Sequence, residues 1–157
     1  MACERLSRSG EGFSLNLQMV ERFCGISSLI NMANHLSDKR MILVVDDEVM
    51  IRQVLSDILS GLGFEVVTAE GGEEALRCFG QHAFSLTMTD RNMSGMAGEE
   101  LAELLRQRSP AHPVILMSGM SPVARTNFPV GFLPKPFSRA AVTAAVRSAL
   151  GDAALSG

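Results

Sequence analysis

From Met41 to Leu150 two hydrophobic rhythms alternate along the chain. "MILVV" (41–45) is an unbroken apolar run, as expected of a strand buried on both faces of a parallel sheet. In "VMIRQVLSDILSGLG" the apolar residues Val49, Ile51, Val54, Leu55, Ile58, Leu59 and Leu62 recur at helical spacing, and Gly61 and Gly63 end the helix. "FEVVTA" (64–69), "FSLTMTD" (84–90), "PVILMSG" (113–119) and the brief "GFLPKP" (131–136) predict four more strands. "GEEALRCFG", "GEELAELLRQRS" and "SRAAVTAAVRSAL" (138–150) predict further helices, the last with Ser138 as its N-cap. Strands alternating with helices through short, Gly-rich turns predict an α/β fold with a parallel sheet covered on both faces.

In such a sheet ligands bind at the carboxyl ends of the strands. The polar residues fall there: Asp46 and Asp47 after the first strand, Asp90 at the end of the third, Ser118 at the end of the fourth and Lys135 after the fifth. Taken singly, an Asp after a strand is a turn residue or an N-cap, and a lysine or serine there is ordinary surface. Their recurrence at successive strand ends is what points to a site. Three converging carboxylates need a cation to stay ionised together. Hard oxygen donors suit Mg²⁺, which keeps its waters and favours phosphate partners. A carboxylate beside Mg²⁺, an ammonium (Lys135) and a hydroxyl (Ser118) is equipped to accept a phosphoryl group.

Composition narrows the field. The chain has 157 residues and a formal net charge of −3, so bulk charge gives no sign of direct nucleic-acid binding. Its three cysteines are irregularly spaced and fit neither a disulfide framework nor a zinc site, so a reducing cytoplasm is the simplest setting. No apolar run is long enough to span a membrane, and no signal peptide is evident.

"ILVVDDE", the spaced Asp90, Met93, Met96 and Gly98, "PVILMSG" and "LPKPF" together resemble the receiver domain of bacterial two-component response regulators. That resemblance implies a CheY-like, flavodoxin-like (βα)5 fold with a five-stranded parallel sheet in the order 2-1-3-4-5. It implies transfer of a phosphoryl group from a histidine kinase or histidine phosphotransfer protein to Asp90. Mg²⁺ would be held by Asp47, Asp90 and the backbone carbonyl of Asn92, with Asp46 assisting through water. Ser118 and Lys135 would clamp the phosphoryl oxygens. Ser118 and Phe132 would form the switch, and Lys135–Pro136 is a candidate cis peptide. Such a module modifies itself and is not a dedicated enzyme.

The sequence departs from the family at several points. Ser94 stands where proline is usual, loosening that loop. Arg91, a cation where an apolar residue is usual, either faces a partner or is a solvated surface residue. Ser118 replaces the commoner threonine. Between Ser118 and Lys135, Pro122, Pro129 and Pro134 interrupt the segment, so the family's fourth helix is expected to be shortened or absent.

Three parts are expected: an extension at 1–40, helical in part; a receiver domain at 41–151; and a tail at 152–157. Apolar spacing at 19, 23, 26, 30 and 33 fits an amphipathic helix or short coiled coil; it reads either as an extra helix packed on the domain or a partly disordered extension, or as a signalling helix or homodimer contact through residues 15–36. With "GDAALSG" following the last helix, output is expected through contact with a downstream protein or by passing phosphate onward. Two alternatives stand beside this reading: a degenerate receiver-like binding module, and an Asp-nucleophile phosphohydrolase. The second lacks the usual DxD motif and cap insertion.

Overall fold

The computed structural model describes residues 4–5, 40–119 and 129–151. They form one six-stranded sheet and four helices. The strands are β1 (Met41–Val45), β2 (Glu65–Ala69), β3 (Phe84–Asp90), β4 (Val114–Ser118) and β5 (Gly131–Pro134). The helices are α1 (Val49–Ser60), α2 (Gly72–Gln81), α3 (Gly98–Arg108) and α4 (Arg139–Leu150). The five strands pair in parallel in the order β2-β1-β3-β4-β5, the expected flavodoxin-like arrangement. The register sets Val45 beside Ala69 and Thr89, and Asp90 beside Met117, so the chemically interesting strand ends lie side by side.

One strand was not expected. Glu4–Arg5, inside the extension read as partly helical, pairs antiparallel with Val67 and Thr68 on the outer edge of β2. An uncovered edge strand leaves backbone donors and acceptors without partners, which is the physical reason such a short pairing forms. Residues 6–39, with the amphipathic segment at 15–36, lie outside the described residues. So do residues 120–128, on which the shortened fourth helix was expected, and the tail at 152–157.

Alternation along β1 explains the two-sided core. Ile42 and Val44 face Leu55 and Leu59 of α1 and Val142 and Val146 of α4. Leu43 and Val45 face Ala75 of α2 and Leu101 and Leu105 of α3. All of these are buried, which is why the run carries no polar residue until Asp46. Cys78 is buried among the residues of this second face.

Helix ends follow local chemistry. Gly61 caps α1, and Gly63, at φ 91°, takes the left-handed conformation that turns the chain into β2. The Ser138 hydroxyl accepts from the Ala141 amide at 3.2 Å, the N-cap expected for α4. Among the described residues no helix is long and apolar enough to cross a membrane.

Candidate functional site

β1 delivers Asp46 into the interior and Asp47 to the surface, because successive residues at a strand end point to opposite sides. Asp46 is fully buried. Its Oδ2 lies 2.7 Å from Lys135 Nζ, and its Oδ1 accepts the Glu48 amide at 2.9 Å. Asp90, the last residue of β3, is also buried; its Oδ1 lies 2.7 Å from the same ammonium, and its Oδ2 accepts the Asn92 amide at 2.9 Å. Lys135 therefore sits between two carboxylates supplied by neighbouring strands. The cation that the acidic cluster requires is, in this structure, a side chain of the protein.

The electrostatics follow. Burial raises the pKa of Asp46, opposed by the hydrogen bond from Lys135 and the Glu48 amide; the nearby Asp90 charge pushes the same way as burial. Burial alone would lower the pKa of Lys135, but its contacts with Asp46 and Asp90 outweigh it and raise the value above the ordinary lysine range. The ammonium stays charged at any physiological pH.

The remaining candidates surround this core. Asp47 is exposed, and its Oδ2 accepts the Ser94 amide at 3.4 Å, linking the β1 end to the loop after β3. Asn92 is exposed. Ser118 is buried at the end of β4, and its carbonyl accepts the Lys135 amide at 2.8 Å. Phe132 is half-buried in β5, opposite Leu116, and takes no part in these bonds. The Lys135–Pro136 peptide is cis.

Two features were missed from sequence or read differently. Arg52, on α1, donates to the carbonyl of Asp46 and so ties the first helix to the acidic strand end. Its signal was a basic residue placed one helical turn after the start of α1, on the side facing the strand end. Arg91 is not a solvated arginine: its Nε lies 2.9 Å from Glu99 Oε1, with both side chains more than four-fifths buried (18% and 19% exposed). The spacing that brings them together spans a loop, which a helical or strand periodicity does not reveal.

Gly98 sets the depth of the site. A Cβ there would lie 2.1 Å from the Asp90 carbonyl oxygen, so only glycine lets α3 begin directly beneath the acidic residue. Gly72 has a similar role toward Met96, whose side chain occupies the space a Cβ would need.

Among the described residues no group of three or more His, Cys, Asp or Glu side chains could by itself enclose a metal ion. Mg²⁺ does not need such a cage: it takes one or two carboxylates and keeps several waters. The loop after β3 bonds Asp90 through the Asn92 amide and the exposed Asp47 carboxylate through the Ser94 amide, so oxygen donors open to water lie along it, the type of donor such an ion takes.

A doubly wound sheet that brings two buried carboxylates and a lysine together at its carboxyl edge has its candidate site where open α/β sheets place theirs. The comparisons with known proteins make the class specific. The family model for the response regulator receiver domain matches residues 42–147, and the chain belongs to this family. It is 39% identical over 117 residues to the response regulator protein FleR of Pseudomonas aeruginosa, a match covering 71% of the chain and 25% of FleR. Among solved structures it is similar to the response regulator TrrA of Thermotoga maritima in complex with Mg²⁺ and BeF (TM-score 0.64, 32% identity, 71% of this chain and 99% of that one). It is also similar to the receiver domain of the hybrid histidine kinase CckA (TM-score 0.63, 32% identity, 70% and 98%). The chain spans a quarter to about half the length of the curated relatives it matches first.

Proposed function

We propose that Asp90 accepts a phosphoryl group from the phosphohistidine of a histidine kinase or histidine phosphotransfer protein. The observation that carries this reading is the placement of Lys135 Nζ at 2.7 Å from both Asp90 and Asp46. An Asp90 oxygen attacks phosphorus; the P–N bond of the donor breaks, its electron pair stays on the imidazole, and that nitrogen regains a proton from solvent. Lys135 is already beside the nucleophile and passes to a phosphoryl oxygen as charge builds there. Asp46 keeps the ammonium in place. The Ser118 hydroxyl donates to a second phosphoryl oxygen, and its displacement, with that of Phe132, shifts a pre-existing equilibrium. Asp47, Asp90 and the carbonyl of Asn92 would hold Mg²⁺, with Asp46 assisting through water, and the ion would supply positive charge to the site.

Val49, Met50 and Val54 form an exposed apolar stretch at the start of α1, next to Asp47. Exposed large hydrophobics beside a reactive group favour a protein as the phosphoryl donor over a small phosphate ester, and so weigh against a phosphohydrolase. TrrA's complex with Mg²⁺ and BeF supports the metal, and CckA's identity as a hybrid kinase supports the class of donor. A receiver domain at 41–151, output through a downstream protein, and a homodimer through residues 15–36 belong to the same proposal. So does a cytoplasmic setting.

The test is intact mass after incubation with Mg²⁺ and acetyl phosphate, beside Asp90→Ala. One acid-stable, hydroxylamine-labile phosphoryl group absent from the variant is expected. No adduct with acetyl phosphate or with charged kinases, together with no Mg²⁺ binding, would leave a receiver-like binding module without phosphotransfer.

A further inference from the structure

We propose that the Arg91–Glu99 ion pair is a bracket that fixes the loop carrying the acceptor chemistry, and that Arg91 and Glu99 are positioning residues for phosphoryl acceptance at Asp90. The inference rests on the phosphoacceptor reading above and adds two residues to it.

Residues 91–97 connect β3 to α3 and include Asn92 and Ser94, whose amides donate to Asp90 and Asp47. The site's oxygen donors therefore depend on the shape of this loop. Its sequence offers little stiffness of its own. Ser94 replaces the proline of the family pattern, and Gly95 sits at φ 84°, a conformation only glycine adopts readily. A Ser–Gly pair leaves the unliganded loop with backbone freedom that a proline would have removed.

Arg91 replaces that stiffness from the base of the loop. It follows Asp90 directly, so its side chain leaves the strand on the opposite side, away from the carboxylates and toward α3. Its amide donates to the Met117 carbonyl at 2.9 Å, its carbonyl accepts the Gly98 amide at 3.1 Å, and its Nε meets Glu99 Oε1 at 2.9 Å. Two of these join it to the first turn of α3, so the two ends of the loop are clamped to each other. Glu99 also lies where a carboxylate favours the helix N-terminus, which holds its charge in that turn. On the far flank Met96 rests in the space left by Gly72. With 18% and 19% side-chain exposure, the ion pair is drier than the exposed pairs that contribute little. Arg91 does not touch the reacting atoms; it acts through the backbone of Asp90 and Asn92.

The experiment compares Arg91→Ala, Glu99→Ala, the double variant and Arg91→Lys in the full chain, well below their melting temperatures. Three quantities are read: amide hydrogen exchange of residues 92–97, Mg²⁺ affinity by calorimetry, and the rate of phosphoryl uptake from acetyl phosphate. Each single alanine variant should speed exchange at Asn92 and Ser94 while leaving β1 and β4 unchanged. Each should weaken Mg²⁺ binding and slow uptake by about fivefold, the equivalent of one modest ion pair. The double variant should be no worse than either single one, and Arg91→Lys should recover part of the loss. If Arg91→Ala does not fold, Glu99→Gln, which keeps shape and removes charge, carries the same comparison. Unchanged exchange in the single variants, or a double variant whose loss is the product of the two, overturns the bracket. Wild-type protein that neither binds Mg²⁺ nor takes up phosphoryl overturns the phosphoacceptor reading instead; the exchange data then still decide whether the pair holds the loop.

Discussion

The two ends of the sheet bury polar groups by opposite means. At the carboxyl edge, Asp46 and Asp90 lie within 2.7 Å of Lys135, and the charges are kept by pairing them. At the amino edge, His112 is also buried, but its Nε2 meets only the Thr87 hydroxyl, at 2.8 Å, with the edge of Phe79 against the ring. Among the described residues no counter-charge bonds it, and burial pushes its pKa down to about 4, so the imidazole is neutral. One sheet thus shows the two ways to bury a titratable group: supply an opposite charge, or remove the charge. The first costs desolvation and leaves reactive groups poised. The second stabilises a neutral hydrogen bond and does no chemistry.

The largest expected effect is chemical. Asp90→Asn keeps the side-chain shape and the neighbours but removes the nucleophile, so phosphoryl uptake by intact mass should vanish; uptake persisting at the same site count would place the acceptor elsewhere. Next is Lys135→Met, which leaves two buried carboxylates without their cation. It should cost about 2–4 kcal/mol in denaturant unfolding without metal, and added Mg²⁺ should restore part of this. A melt insensitive to the substitution would mean the pair is not what keeps those charges ionised.

At the other end the effects are smaller and depend on pH. The folded pKa of His112 lies below its unfolded value of 6.5, so between pH 6.5 and about 4 the unfolded chain binds more protons. Stability is full above that window and falls as pH drops through it, by a total of about 3 kcal/mol. His112→Gln should flatten that slope in unfolding measured from pH 7 to pH 4, and an unchanged slope would assign it to the carboxylates instead. Smallest is Thr87→Val, which leaves the ring nitrogen without its partner and should cost about 1–2 kcal/mol with no effect on phosphoryl uptake.

These two ends were not equally legible in the sequence. The carboxyl edge could be read because the first strand ends in an abrupt change from apolar to charged, at Val45–Asp46, and because a parallel sheet gathers its strand ends on one edge. Element boundaries were also near, since "MILVV" and "FSLTMTD" leave little doubt about length. What escaped depends on side-chain reach. Arg52 finds a carbonyl that precedes its own helix, and Arg91 finds a partner across an irregular loop. The His112–Thr87 contact joins two strands' edges with no local pattern at all. The Glu4–Arg5 pairing escaped because two residues carry no periodicity.

Gly98 has a consequence for engineering. Because α3 starts in contact with the Asp90 carbonyl, the segment joining them has no room to change its length. A reporter or tag inserted there would pry the helix from the strand. The turn after α2, where Gln81 and Ala83 are exposed, lies at the opposite edge and is the natural place for such an insertion.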